Sequence, residues 1–290
     1  MTRRRHPESL PLIAPVTGFL LLFLAFPLIV DLVYSVSNVT FETLRTPEVT
    51  GLGNFADVLG DGAFWSATGF SFRFGLLTAA AETLLGLGLA IFLAPLLQKR
   101  PWLMAILMMP MMVAPAMVGL MYRLVLHEFV GPVPHYLWSW FGDSPSFLDA
   151  QSAFWTLATI ETLQWTPFAL VILYSAYQSI PPAVVEAARI DGAGPLRNFL
   201  HIELPLMLPS LVAVGLIRFI DGFRVFDNVY TLTGSGAGGS TTSLSIYIYL
   251  AFFREGAIGK AVAASMVLLV AAFVVLYAVN RLVMRRGAAA

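Results

Sequence analysis

Cysteine is absent from this 290-residue chain, which excludes disulfides, thiol catalysis and cysteine-ligated metals. Charge is scarce: Asp, Glu, Lys and Arg make up 12% of the residues, about half the share of a soluble domain. Acidic and basic residues cancel to a net charge of zero, so bulk electrostatics point to no nucleic-acid partner. The four histidines (His6, His127, His135 and His201) lack metal-ligand spacing, and no G-x-S-x-G pattern or paired active-site acids occur. Neither catalytic residues nor a bound metal are expected. The phosphate-binding pattern G-x4-G-K-[ST] is missing too, since Gly259-Lys260 runs on into Ala261. ATP hydrolysis is therefore not expected of this chain.

What fills the space is apolar. Hydrophobic residues reach 58%, with 22 Phe and 23 Gly, a composition that suits packed helices in lipid. A helix needs about 20 apolar residues to cross the hydrocarbon. On that basis the sequence predicts an all-α membrane protein with six spans near 12–34, 72–97, 103–125, 153–176, 206–232 and 258–282. The first apolar stretch is longer than the core of a cleaved leader, and is read as a retained span. The apolar segment 243–253 is too short to cross, and is expected to lie at the outer surface or fold back.

Basic residues orient the set. Arg3, Arg4, Arg5, Lys99, Arg100, Arg189, Arg197, Arg281, Arg285 and Arg286, ten of the 17 Lys and Arg, fall on one side if the N-terminus is inside. Both termini are then cytoplasmic. The outer connections, 36–71, 126–152 and 233–257, hold only Arg45 and Arg254. Their many aromatics suit anchoring at the membrane interface, or docking of an outside partner.

The long inside loop, 177–205, reads as two short helices. Ser179 is expected to cap the first, with Pro181 and Pro182 in its opening turn and Asp191-Gly192 ending it. Pro195 opens the second, which runs to about His201, and Pro205 is expected to break the chain before the fifth span.

This loop carries a pattern, E-A-A-x-x-x-G-x9-I-x-L-P, filled by Glu186, Ala187, Ala188, Gly192, Ile202, Leu204 and Pro205. The pattern resembles the signature of the membrane-spanning subunits of bacterial binding-protein-dependent ABC importers. The run "RVFDNVYTLTGSGAGGSTTSLSIYIYLAFF" is similar to the carbohydrate branch, although Ser235, Ala237 and Gly238 depart from its usual G-G-P. The resemblance implies the type I importer permease architecture in the cytoplasmic (inner) membrane. It assigns residues 1–71 to an N-terminal tail, first helix and outer loop, and 72–284 to the permease core. It also implies that Glu186, Ala187, Ala188, Asp191, Gly192, Ile202, Leu204 and Pro205 couple to a separate ATP-binding subunit. The implied partners are a second, homologous permease subunit, two ATP-binding subunits that hold ATP and magnesium, and an extracytoplasmic solute-binding protein. No cofactor is implied on this chain. One subunit type of the family carries an extra C-terminal tail, and this sequence stops at "RLVMRRGAAA". The resemblance therefore leads to the expectation of the other type, similar to the upstream subunits of maltose and glycerol-phosphate systems.

Charges inside spans are costly, and mark candidate sites. The fifth span holds Arg218, Asp221, Arg224, Asp227 and Asn228; the fourth holds Glu161 and Gln164 beside Trp165. Steps of three keep successive groups on similar helix faces, so the series reads as an ion-pair ladder, a substrate path, or both. Candidate path residues are Asp221, Arg224, Asp227, Asn228, Glu161 and Gln164. Glu82, alone in the second span, is read as a hydrogen-bond partner within the bundle. An ion-coupled secondary transporter is the other class that in-span charges fit. It has no use for the loop pattern, and residues 12–125 and 153–282 show no clear repeat.

Overall fold

The computed structural model describes residues 10–234 and 236–287, so Arg3, Arg4, Arg5, His6 and Ser235 lie outside the described residues. Helix dominates. In chain order the helices are α1 (Leu10–Leu20), α2 (Phe26–Ser35), α3 (Gly53–Gly60), α4 (Gly62–Lys99), α5 (Trp102–Leu107), α6 (Pro115–Val125) and α7 (Pro132–Phe141). There follow α8 (Ala153–Gln178), α9 (Pro182–Ile190), α10 (Pro195–Asn198), α11 (Leu204–Phe223), α12 (Asp227–Thr233), α13 (Leu244–Phe253) and α14 (Ile258–Gly287). Between α2 and α3, β1 (Ser37–Asn38) and β2 (Glu48–Val49) pair antiparallel, with Ser37 opposite Val49.

The chain divides into two units: residues through Phe64 with those from Tyr247 onward, and Trp65–Ile246. In the first, Val39, Ile258 and Val262 form a buried core against Tyr34 and Phe252. Asn54 pins the ribbon there, donating Nδ2 to the carbonyls of Ser35 (3.0 Å) and Ser37 (2.8 Å). A polar triad adds to it: Asp61 Oδ2 accepts from Tyr247 Oη and Lys260 Nζ, both at 2.8 Å.

In the second unit, small residues set the helix spacing, as expected where backbones must approach closely. A Cβ added to Gly222 of α11 would lie 2.9 Å from Gly75 Cα of α4, and one on Gly86 would lie 2.6 Å from Ala169 Cβ of α8. These meetings, with the ring contacts of Phe70 and Phe74 on Phe154, make α4 and α8 parallel. Gly75 meeting Gly222 and Glu82 meeting Arg218 make α11 antiparallel to α4. Ala90, Ala169, Leu170, Leu173, Met207 and Val214 fill the core between them.

Among the described residues four helical runs are long and apolar enough to cross a membrane: Ile13–Ser35, Gly62–Lys99, Ala153–Gln178 and Pro195–Phe223. Where helices persist or break departs from the sequence reading, and proline chemistry explains much of it. The expected third span, 103–125, is interrupted. Pro115 forces Ala114 into extended backbone, and Val113 is extended as well, so α5 and a short 3-10 turn (Met109–Met112) are cut off from α6. Pro205, by contrast, does not break the chain. A π turn at Phe199–Glu203 widens the helix where the Pro205 ring would meet the carbonyl of His201, and α10 runs through it into α11. Pro27 is accommodated in the same way by a π turn at Leu21–Ala25.

The expected fifth span, 206–232, also changes limits: α11 ends at Phe223 and α12 starts anew at Asp227. The carbonyls freed at Arg224 and Val225 are taken by the hydroxyls of Ser245 (2.9 Å) and Ser243 (2.6 Å). Ser179 does not cap α9; its hydroxyl donates back to Ala176 at the end of α8, and Pro181 occupies the N-cap position. The short apolar segment is a helix, α13, with Leu244, Ile246 and Ala251 fully buried, so it folds back into the protein.

Candidate functional site

Arg218 of α11 is the hub of a polar network inside the second unit. Its side chain is 1% exposed, and Glu82 of α4 beside it is 0% exposed. The guanidinium pairs with Glu82 through Nε and Nη2, with Glu161 of α8 at 3.3 Å and with Asp221 at 3.2 Å. Its central carbon stands 4.6 Å from the ring centroid of Trp165, a cation–π contact on the remaining side. A buried cation is tolerable only when paired and hydrogen-bonded throughout, and this one is.

Glu161 extends the network. Its Oε2 accepts from Asn228 Nδ2 at 2.7 Å, and the same amide donates to Gln164 Oε1 at 3.0 Å. Gln164 in turn donates to the carbonyl of Val113 at 3.0 Å, in the gap between α5 and α6. The backbone acceptor freed by the Pro115 break is thus satisfied by the network. A helix interrupted away from water needs such a partner.

Beside Arg218 opens a cavity of about 470 Å³, within the range that holds small ligands. Glu161, Asp221, Arg224, Asp227 and Asn228 line it, so the structure brings five of the six candidate path residues to one space. Gln164 does not line it; it holds Asn228 from behind. The ladder is shorter than the spacing suggests. Asp221 pairs with Arg218 and with Arg224 (3.1 Å), but α11 ends there, and Asp227 opens a new helix. The sequence reading missed the central place of Arg218 and of Trp165. Spacing put Arg218 in the series, but it could not reveal that Glu82, 136 positions away, is its partner.

The loop residues form a second, separate group. Glu186, Ala187, Asp191 and Gly192 are exposed, Ala188 is buried, Ile202 and Leu204 are half-buried, and Pro205 is exposed. Gly192 holds a φ of +79°, a left-handed turn that favours glycine, and Ala193 N–H reaches back to the carbonyl of Ala188 at 2.9 Å to close α9. Asn198 donates to Glu203 at 2.7 Å and ties the start of the continuous helix to its π turn. Ile190 and Leu196 stand 86% and 71% exposed.

Residues 82–286 match the family model of the inner membrane component of binding-protein-dependent transport systems, a stretch that contains the Arg218 network and the whole loop. The trehalose/maltose transport system permease protein MalF of Thermococcus litoralis is 32% identical over 270 residues, which cover 92% of this chain and 90% of that one. The multiple sugar-binding transport system permease protein MsmF of Streptococcus mutans is 30% identical over 250 residues, 86% of this chain and 85% of that one. A solved bacterial alginate ABC transporter, in complex with an alginate pentasaccharide-bound periplasmic protein, shares the fold. Its TM-score is 0.80 at 20% identity, over 93% of this chain and 92% of that one. The chain belongs to the inner membrane components of binding-protein-dependent transport systems.

Proposed function

We propose that this chain is the permease subunit of an ATP-driven sugar importer in the bacterial inner membrane, and that it forms half of the translocation path. A second permease subunit, homologous but distinct, supplies the other half. Two ATP-binding subunits, which hold ATP and magnesium, drive it from the cytoplasm, and an extracytoplasmic solute-binding protein delivers the cargo. Relatives named for trehalose, maltose and multiple sugars support the sugar assignment. The ion-coupled reading has no support among them.

In this reading the chain crosses the membrane six times with both termini inside, α5 and α6 together making one interrupted crossing. The parallel course of α4 and α8 and the opposite course of α11 support alternate crossings. Glu186, Ala187, Ala188, Asp191, Gly192, Ile202, Leu204 and Pro205 couple to the ATPase. Asp221, Arg224, Asp227, Asn228 and Glu161 line the path, and Gln164 positions Asn228.

The observation that carries the proposal is the unbroken helical run from Pro195 to Phe223. It starts at the exposed loop and ends beside the polar cavity. At about 1.5 Å per residue, Pro195 and Arg218 are about 35 Å apart along one rod. A push delivered at Pro195, just after the Gly192 turn, therefore reaches the Arg218 network along one helical run. The test is uptake by vesicles that hold the complete importer, co-expressed with its ATPase and binding protein. Glu186→Lys and Gly192→Pro should each abolish uptake while membrane insertion and assembly stay normal. Uptake at the unaltered rate in either variant would sink the coupling role.

A further inference from the structure

The cavity beside Arg218 is unbalanced in charge and in hydrogen-bond character. Glu161, Asp221 and Asp227 bring carboxylates to it, and Arg218 and Arg224 bring the cations. Arg218 is fully engaged by Glu82, Glu161 and Asp221, and Arg224 donates Nη2 to Asp221 at 3.1 Å. With Glu82 behind the wall, four carboxylates stand against two guanidinium groups. Arg224 keeps spare N–H groups, but its side chain is 67% exposed and screened by water.

Two side-chain acceptors beside the cavity are left without a hydrogen bond among the described residues. Asn228 is 3% exposed and spends its Nδ2 on Glu161 and Gln164, while its Oδ1 has no partner. That oxygen is itself shut off from the cavity, so the acceptor a bound molecule meets is the exposed carboxylate of Asp227. Asp227, at the cavity wall, accepts no side-chain hydrogen bond among the described residues.

We infer that this cavity selects uncharged, polyhydroxylated cargo and rejects sugars that carry phosphate, carboxylate or sulfonate groups. The inference rests on reading the cavity as part of the sugar path. A hydroxyl supplies the donor that the Asp227 carboxylate lacks, and it still accepts from Arg224. An ionised acid group supplies acceptors only. To bind, it has only the spare N–H groups of Arg224, a cation already shared with Asp221 and screened by water, in a cavity where carboxylates outnumber guanidinium groups. Asp227 is the residue that sets this preference most directly, because among the described residues no ion pair neutralises it.

The test uses the complete importer in nanodiscs, with the solute-binding protein left out so that its own selectivity plays no part. Trehalose and maltose are titrated beside trehalose 6-phosphate and maltobionate, and Trp165 fluorescence is followed. A Trp165→Phe importer identifies the signal. The neutral sugars should bind at least tenfold more tightly than their anionic counterparts, and Asp227→Asn should narrow that gap severalfold. Asp227 is exposed and makes no side-chain hydrogen bond or ion pair among the described residues, so this variant should assemble normally, which co-purification of all subunits verifies. Anionic sugars binding as tightly as neutral ones would overturn the inference and leave the sugar path standing. A gap that Asp227→Asn does not alter would overturn it too, since discrimination would then lie elsewhere. No Trp165 response to any of the four sugars would remove the sugar path itself, and the inference with it.

Discussion

Arg218 shows how one side chain binds three helices. Removing it leaves Glu82 and Glu161 in the protein interior without their cation, so Arg218→Met should cost about 3–5 kcal/mol. Glu82→Gln should cost less, because Glu161 and Asp221 remain on the guanidinium. Thermal unfolding of the detergent-solubilised importer would rank the two, and an equal loss would refute Arg218 as the hub. Asp61, outside the spans, responds to pH in a defined direction. The hydrogen bonds from Lys260 and then Tyr247 pull its carboxyl from 3.8 down to about 2. Its contribution is therefore complete above the unfolded value near 3.8, and is lost as pH falls through about 2. Acid unfolding followed by circular dichroism should show Asp61→Asn less stable than the parent at neutral pH, with the difference vanishing toward pH 2.

Helices in this protein meet where side chains are smallest, and two glycines one half-turn apart on α4 separate packing from propensity. A methyl on Gly86 would press within 2.6 Å of Ala169 Cβ and 2.9 Å of the Leu170 backbone nitrogen, whereas Gly88 has nothing within 4 Å. Gly86→Ala should destabilise by about 1–3 kcal/mol; Gly88→Ala should be neutral or stabilising by up to about 1 kcal/mol. Similar unfolding midpoints for both would mean that α4 and α8 do not pack at this crossing. Apolar length made most helices legible in the sequence, because lipid demands about 20 such residues in a row. Where they break was less so. Pro115 and Pro205 impose the same local constraint, yet only one interrupts its span. At Pro115 the freed Val113 carbonyl finds Gln164, 51 positions away; at Pro205 a π turn absorbs the ring. The candidate path was legible as spaced charges in one span. The pairing of Glu82 with Arg218 was not, since only the crossing of α4 and α11 joins them.

The absence of cysteine makes the path of the whole chain testable, because each introduced thiol is the only one present. Three exposed positions suffice: Arg100 after α4, Asp143 after α7 and Ile190 at the end of α9. The hydrogen bond from Gln98 to Gln178 at 2.8 Å places the C-terminal ends of α4 and α8 together, so Arg100 and Ile190 belong on one face of the membrane. In the proposed six-span path the chain returns between these parallel helices through the interrupted α5–α6 stretch. A membrane-impermeant maleimide should therefore label Asp143→Cys in intact cells, and Arg100→Cys and Ile190→Cys only after permeabilisation. Labelling of Arg100→Cys from the same side as Asp143→Cys would mean that α5 and α6 do not cross, and the sixfold path would fail at its weakest span. Labelling of all three with the sides exchanged would keep the crossings but turn the loop outward, away from any cytoplasmic ATPase. The expected pattern alone puts the exposed Ile190 and the loop glycine where ATP is, and Asp143 where a solute-binding protein would arrive.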